Sequence, residues 1–327
     1  MVDQIKNVTV IIRSVDERTE KLCQELIVQQ GIPRDNIIIL REVPFSQALK
    51  KGFQLGIERG LPWTWCNDAD ILLRPNAIKT MLGFAEEQDE RVCEIQGYIL
   101  DKFFGGYRKG GINLYRTSLL PIVLDKIPQE GVDIRPEHRT LKGMKQAGYP
   151  FMTVPYAVGI HDFDQYYKDI VRKCFVHAHK HIHCAQLLLG VWREKAKEDV
   201  DYCVALQGFA KGIEHHGEVF IDIHQEVYQT AFRDLQITEK EELAPDAYTV
   251  DHIEDIIQNW KNPAAYTEAY PEDVIHKKSP QHHSDFMSFL KGKYSEIGLL
   301  RFFVFLLGSA FSFCGRLLKD ISEFTSN

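Results

Sequence analysis

Three short apolar runs alternate with amphipathic stretches at the start of the chain, and this spacing restricts the fold more than any other feature. Val8 to Ser14 reads VTVIIRS. It is β-branched and almost continuously apolar, as a strand buried on both faces of a parallel sheet must be. Asp16 to Gln30 follows, with Leu22, Cys23, Leu26 and Ile27 at helical spacing before Gly31. Ile37 to Leu40 is a second buried run. Ser46 is placed to cap a helix carrying Leu49, Phe53 and Ile57 on one face and stopping at Gly60. Trp63 to Asn67 is a third run, ending at Asp68. Strand alternating with helix predicts an α/β fold, a Rossmann-like, mostly parallel sheet flanked by helices.

The pattern continues for another hundred residues. Pro75 starts a further helix, Val92 to Leu100 is strand-like, and Phe103 to Gly111 reads as a Gly-rich, aromatic and basic loop. Residues 138–147 are helical, and Phe151 to Ile160 returns to strand character. Beyond about residue 165 long helical stretches dominate, so residues 1–165 are expected as one domain and 166–290 as a helical C-terminal region. Within the latter, 239–285 is acidic, then His- and Pro-containing, and is expected to wrap the surface or link. There is no internal repeat and no low-complexity tract.

Seven scattered cysteines without a CxxC argue against a disulfide framework or a zinc–cysteine site. The polar start, Met1 to Asn7, has no secretory apolar stretch, and a reducing, cytoplasmic setting is expected. A net charge of −7 gives no general basic surface for nucleic acid.

The chemistry centres on Asn67-Asp68-Ala69-Asp70, at the end of the third buried run. Ligands of open α/β sheets sit outside the carboxyl ends of the strands. Two carboxylates one residue apart can project together from such a turn and hold a hard divalent cation. A cation bridging a diphosphate would stabilise its departure as a Lewis acid. A solvated acidic turn is the plainer reading of the same residues. Glycines let backbone approach a ligand closely, which makes Gly110 and Gly111 candidates for ligand contact, with Arg108 and Lys109 beside them for phosphate; a plain turn accounts for the same residues equally well.

VTVIIRSVDER, the Ala48–Gly56 helix, WCNDADILLRPNAI and PEHRTLKGMKQAGY occur in an order that resembles the family 2 glycosyltransferases and their GT-A relatives. The resemblance spans about residues 8 to 165, half the chain. Where that family has a proline and a small polar run, this chain has Arg13-Ser14-Val15-Asp16. The resemblance implies a GT-A fold, a UDP- or GDP-sugar donor, and Mn²⁺ or Mg²⁺ held by Asp68 and Asp70 with His161 as third ligand. It also implies Arg13 and Asp16 facing the nucleoside, Asp68 and the Gly110-Gly111 loop at the donor, and Glu137 as the general base of an inverting, hexosyltransferase-like reaction. Asp133 is the second candidate base. Glu137 would equally suit the first turn of a helix, where it favours the macrodipole.

Two further tracts stand out. His177, His179, His181 and His183 alternate, but a helix would pair only 177 with 181 and 179 with 183, so a solvated helix face is expected. Residues 291–327 hold an uncharged run, Phe302 to Gly315, flanked by Arg301 and Arg316. It falls short of the ~20 residues of a full span, and its basic flanks suit anionic headgroups. A tail touching the inner face of the membrane, and hence a lipid-linked or cell-envelope glycan acceptor, is expected. The rival readings are a catalytically inactive membrane-bound scaffold and a sugar-1-phosphate nucleotidylyltransferase. The latter expects a Gly-rich loop after the first strand, and VTVIIRSVDERTEK has none.

Overall fold

The computed structural model describes residues 4–260 except 131, 134, 220, 222–224 and 245, with the backbone alone at 183 and 225–228. All of them belong to one compact unit, Met1–Pro271. The tail expected at 291–327 lies outside the described residues. Among these residues no helix is long and apolar enough to cross a membrane.

Strand β1 (Val8–Arg13) is buried along its whole length. Then come α1 (Glu20–Gln29), β2 (Ile37–Leu40), α2 (Phe45–Arg59), β3 (Trp63–Asp68), β4 (Ile71–Leu73), α3 (Ala77–Glu86), β5 (Glu94–Asp101) and β6 (Gly106–Arg116). After α4 (Leu120–Leu124) and α5 (Pro136–Gln146), β7 (Phe151–His161) completes a seven-stranded sheet in the order β2-β1-β3-β6-β5-β7-β4. Pairing is parallel across β2, β1 and β3, and between β5 and β7. It is antiparallel where β6 joins β3 and β5, and where β4 joins β7. This is a mixed, Rossmann-like α/β sheet flanked by helices, as a GT-A fold requires.

Two local expectations change. Phe103 to Gly111, expected as a loop, is a loop only to Gly105, and Gly106 onward belongs to β6. Glycine and charged residues are poor strand formers, but pairing with Tyr98–Asp101 of β5 supplies the ladder that local preference does not. Ser46 does not cap α2. The helix begins at Phe45 after Pro44, and Ser46 is buried inside its first turn.

The remaining helices are α6 (Tyr167–Lys180), α7 (Ala185–Lys195), α8 (Val200–Glu214), α9 (Gln225–Leu235) and α10 (Val250–Asn259). α6, α7 and α8 share a core with Phe103 and Phe104 of the β5–β6 turn, centred on Trp192, Tyr202 and Phe209. Trp192 Nε1 donates to the Phe103 carbonyl (2.6 Å), and Lys102 bridges Asp201 (2.5 Å) and Asp199 (2.9 Å). A Cβ at Gly212 of α8 would stand 2.5 Å from the Phe175 carbonyl, so only glycine lets α8 press this closely on α6. The contact fixes α6 from behind, and its opposite face looks into the cavity described next.

Candidate active site

Sheet register gathers the site. In the parallel β1–β3 pair, Arg13 stands opposite Asp68 at the carboxyl edge. His161, the last residue of β7, is opposite Ile71 of β4 on one side and Asp101 of β5 on the other. The 68–70 turn is clamped by Ala69 N–H to the Arg13 carbonyl (2.9 Å) and by Thr19 Oγ1 to the Ala69 carbonyl (2.8 Å). The fully buried Asn67 amide donates to the carbonyls of Asp68 (2.8 Å) and Ile71 (3.3 Å) and accepts from Trp65 Nε1 (3.2 Å). Asn67→Leu keeps the branched heavy-atom shape but orphans these groups. It is expected to lower the unfolding free energy by about 1–3 kcal/mol, read from urea denaturation.

The turn opens on a cavity of about 510 Å³. One wall is acidic. Donor atoms of Asp70, His161 and Asp162 all lie within 4.8 Å of one another. Asp70 Oδ1 and Asp162 Oδ2 are buried without a well-formed hydrogen bond. His161 Nδ1 lies 2.7 Å from Asp101 Oδ2, while Nε2 faces Asp70 Oδ1 at 3.4 Å. A carboxylate behind an imidazole is the usual way of orienting a metal-ligating histidine. Asp162 Oδ2 also lies 3.1 Å from His161 Nδ1, and two buried carboxylate oxygens around one carboxylate-backed imidazole fit a divalent cation of the Mn²⁺ or Mg²⁺ type. Asp70 and His161 therefore meet as expected from sequence, joined by Asp162. Asp68 is instead drawn to Arg13 (2.8 Å), outside this group.

The charges are strongly coupled. Burial opposes ionisation of Asp70, yet Lys173 and His161 hold its carboxyl well below the usual range. Burial also opposes the His161 charge, but Asp162, Asp70 and Asp101 raise it to about 9. Asp68 is pushed up to about 6 by burial and by Asp70, against the pull of Arg13.

The basic part of the lining comes from α6 and its C-terminal cap, His181. Arg172, Lys173, Val176, His177, Lys180 and His181 face the cavity at helical spacing. For His177 and His181 this corrects the expectation of a solvated histidine face; His179 is half-buried and does not line the cavity. His177 is buried with Nδ1 unpaired, its ring edge-on to Phe104 at 5.2 Å, and burial pulls it well below its ordinary pKa. Tertiary packing of α6 against α8 turns the 177/181 pair inward. Lys180 is pulled down to about 8 by burial and by Arg108 and Arg135, with Glu137 and Asp68 opposing. Lys180 thus loses charge as pH rises through about 8. Affinity for inorganic pyrophosphate as an anionic probe, measured without metal, is expected to fall about fivefold between roughly pH 7 and 9, the equivalent of ~1 kcal/mol. Calorimetry with Lys180→Met, which should flatten the profile, checks this.

Glu137 projects from the first turn of α5 and is held by Arg13 Nη1 (2.5 Å). Asp133 does not line the cavity and accepts instead from the Arg135 N–H (2.7 Å). Arg13 is buried and held charged, against burial, by Asp68 and Glu137. Asp16 points away, pairing with Arg41 (2.7 Å) at 73% exposure, so only Arg13 of that pair lines the cavity. Gly110 and Gly111 both line it with positive φ. At Gly111 a Cβ would stand 2.3 Å from Ile71 Cδ1 and 3.1 Å from Asp68 Oδ2, so glycine is what lets β6 pass beside the acidic turn. Arg108 pairs with Asp101 (2.6 Å), backing the histidine.

Sequence reasoning missed Asp101, Asp162, Lys173 and Glu94. Glu94 is a buried cavity carboxyl pushed up to about 8 by burial. Asp162 had one visible signal, adjacency to His161. Lys173 had another, a position one turn before His177. The other two carried none.

No protein-family profile matches the chain, and no curated protein does either. Solved structures with partial likeness include a glycosyltransferase involved in glycosylation of the major capsid of PBCV-1 (15% identity, 48% of this chain and 94% of that one, TM-score 0.36). Another is the mannosyltransferase PcManGT from Pyrobaculum calidifontis in complex with GDP-Man and Mn²⁺ (13% identity, 70% and 79%, TM-score 0.36). A third is a cytidylyltransferase from Leptospira borgpetersenii (14% identity, 49% and 68%, TM-score 0.29). Likenesses this slight leave the function to be argued from the geometry of the site itself.

Proposed function

We propose that the chain is a metal-dependent glycosyltransferase that moves a sugar from a UDP- or GDP-linked donor to a hydroxyl acceptor with inversion. One observation carries the reading. A single cavity at the carboxyl edge of the sheet is lined by Asp70 and His161 of the oriented acidic group, by the cationic face of α6 and by Glu137. That lining suits a substrate with a diphosphate at one end and a neutral sugar at the other.

In this reading Asp70, His161 and Asp162 hold the cation, which supplies Lewis-acid stabilisation of the departing diphosphate. Lys180, Arg108 and Arg172 bind the diphosphate oxygens and offset the charge that develops on them. Ser14, Val15 and Phe45, at the β1 end of the cavity, flank the nucleoside. Glu137, fixed by Arg13, takes the proton from the acceptor hydroxyl as it attacks the anomeric carbon. The acceptor class rests on sequence alone. The uncharged run in 291–327 with its basic flanks favours a lipid-linked or cell-envelope glycan met at the inner face of the membrane.

The test is a screen of nucleotide sugars for Mn²⁺-dependent binding, followed by product analysis with glycan and lipid-linked acceptors. Transfer with release of UDP or GDP supports the proposal. Donor binding without turnover would favour an inactive scaffold. Pyrophosphate release from a nucleoside triphosphate and a sugar-1-phosphate would establish a nucleotidylyltransferase instead.

A further inference from the structure

The acidic group already contains a cation of its own. The Lys173 ammonium is ion-paired with both Asp70 Oδ2 and Asp162 Oδ1 and lies 3.5 Å from His161 Nε2. These three form the candidate metal-holding group found among the described residues. Asp70 is 6% and Asp162 0% exposed, and two such carboxylates need a counter-charge on the spot. A divalent cation among donors that lie within 4.8 Å of one another would sit in contact distance of the ammonium, where the two positive charges repel strongly.

We infer that Lys173 is an internal counter-ion which a divalent cation displaces, and that the released ammonium is re-partnered by an anionic diphosphate, so that cation and nucleotide bind cooperatively. The inference rests on reading the cluster as a cation site. Lys173 can make the move because its ammonium ends a flexible four-carbon stem and the residue borders the cavity. The carboxylates on its other side are shared with a second cation: Arg172 pairs loosely with Asp169 (3.5 Å) and Glu17 (3.9 Å), and Asp169 Oδ2 has no hydrogen-bond partner. The next charged cavity residue along α6 after Lys173 is Lys180, another cation. A nucleoside diphosphate entering the cavity brings the new anion that receives Lys173. Linkage then requires each ligand to tighten the other by the same factor.

The test measures Mn²⁺ affinity by electron paramagnetic resonance, with and without saturating UDP or GDP, on the full chain. The wild type should bind Mn²⁺ weakly alone. Lys173→Met should bind Mn²⁺ alone about tenfold or more tightly than wild type, and its nucleotide coupling should shrink by a similar factor. Direct metal–phosphate contact is common to both proteins and cancels in that comparison. A second measurement needs no variant. Acylation of Lys173 in the wild type, mapped by mass spectrometry, should rise several-fold with Mn²⁺ alone and fall again when nucleotide is added. Equal Mn²⁺ affinity in both proteins, or Lys173 labelling that ignores saturating Mn²⁺, overturns the counter-ion role while leaving the cation site intact. Absence of Mn²⁺ binding in both proteins, with and without nucleotide, overturns the cation reading itself and this inference with it.

Discussion

Asp70→Asn is expected to reduce sugar transfer by about 10³-fold or more, a loss of ~4 kcal/mol of transition-state stabilisation. The residue has two jobs in the proposed site. It contributes a buried oxygen, Oδ1, to the cation group, and its other oxygen accepts the Lys173 ammonium. The amide has no charge for either. Excess chelator should produce a loss of the same order in the wild type, with recovery on adding Mn²⁺. Removing one member of a buried ion pair can cost about 3–5 kcal/mol of stability, so circular dichroism and metal-free UDP or GDP binding must accompany the assay. A folded Asp70→Asn protein that still binds nucleotide but does not transfer meets the expectation. Undiminished transfer in excess chelator would sink it.

Glu137→Gln is expected to lower kcat by about 10²-fold or more while leaving donor affinity nearly unchanged, because a general base acts in the transition state and not in donor binding. Glutamine preserves the shape of the side chain and can still accept from Arg13 through its amide oxygen. Arg13 keeps its 2.8 Å pair with Asp68 in any case. Pre-steady-state transfer rates and equilibrium donor binding separate the two effects. A collapse of donor affinity with little change in rate would make Glu137 a binding residue. Asp133→Asn serves as the control and should leave kcat within about twofold, since Asp133 lies outside the cavity lining.

Much of the scaffold is legible because its signals are local. The runs at Val8, Ile37 and Trp63 all form the expected strands. The structure buries β1 completely and nearly all of β3, but β2 lies at the sheet edge and only Leu40 of it is buried. The acidic turn is also local, since it needs only a strand that ends at Asp68. Less was visible where an element draws its stability from a partner. β4 is three residues long and exists through its pairing with β7. The first half of β6 is rich in glycine and charge and is held by β5.

For the cavity, the sequence with its family resemblance marked the carboxyl edge of the sheet and five of the charged residues that line it: Arg13, Asp68, Asp70, Glu137 and His161. Only the tertiary structure decided how they are partnered. Register put His161 beside Asp101 and Ile71, which lie 60 and 90 residues away in the chain. A slip of one residue would turn every side chain of β7 to the other face. The same geometry gave Asp68 to Arg13 and Asp162 to the cation group. The packing of α6 on α8 turned Lys173, His177 and Lys180 into the cavity. Ion pairing depends on separations of a few ångströms between distant segments, and no pattern along a single segment carries those distances.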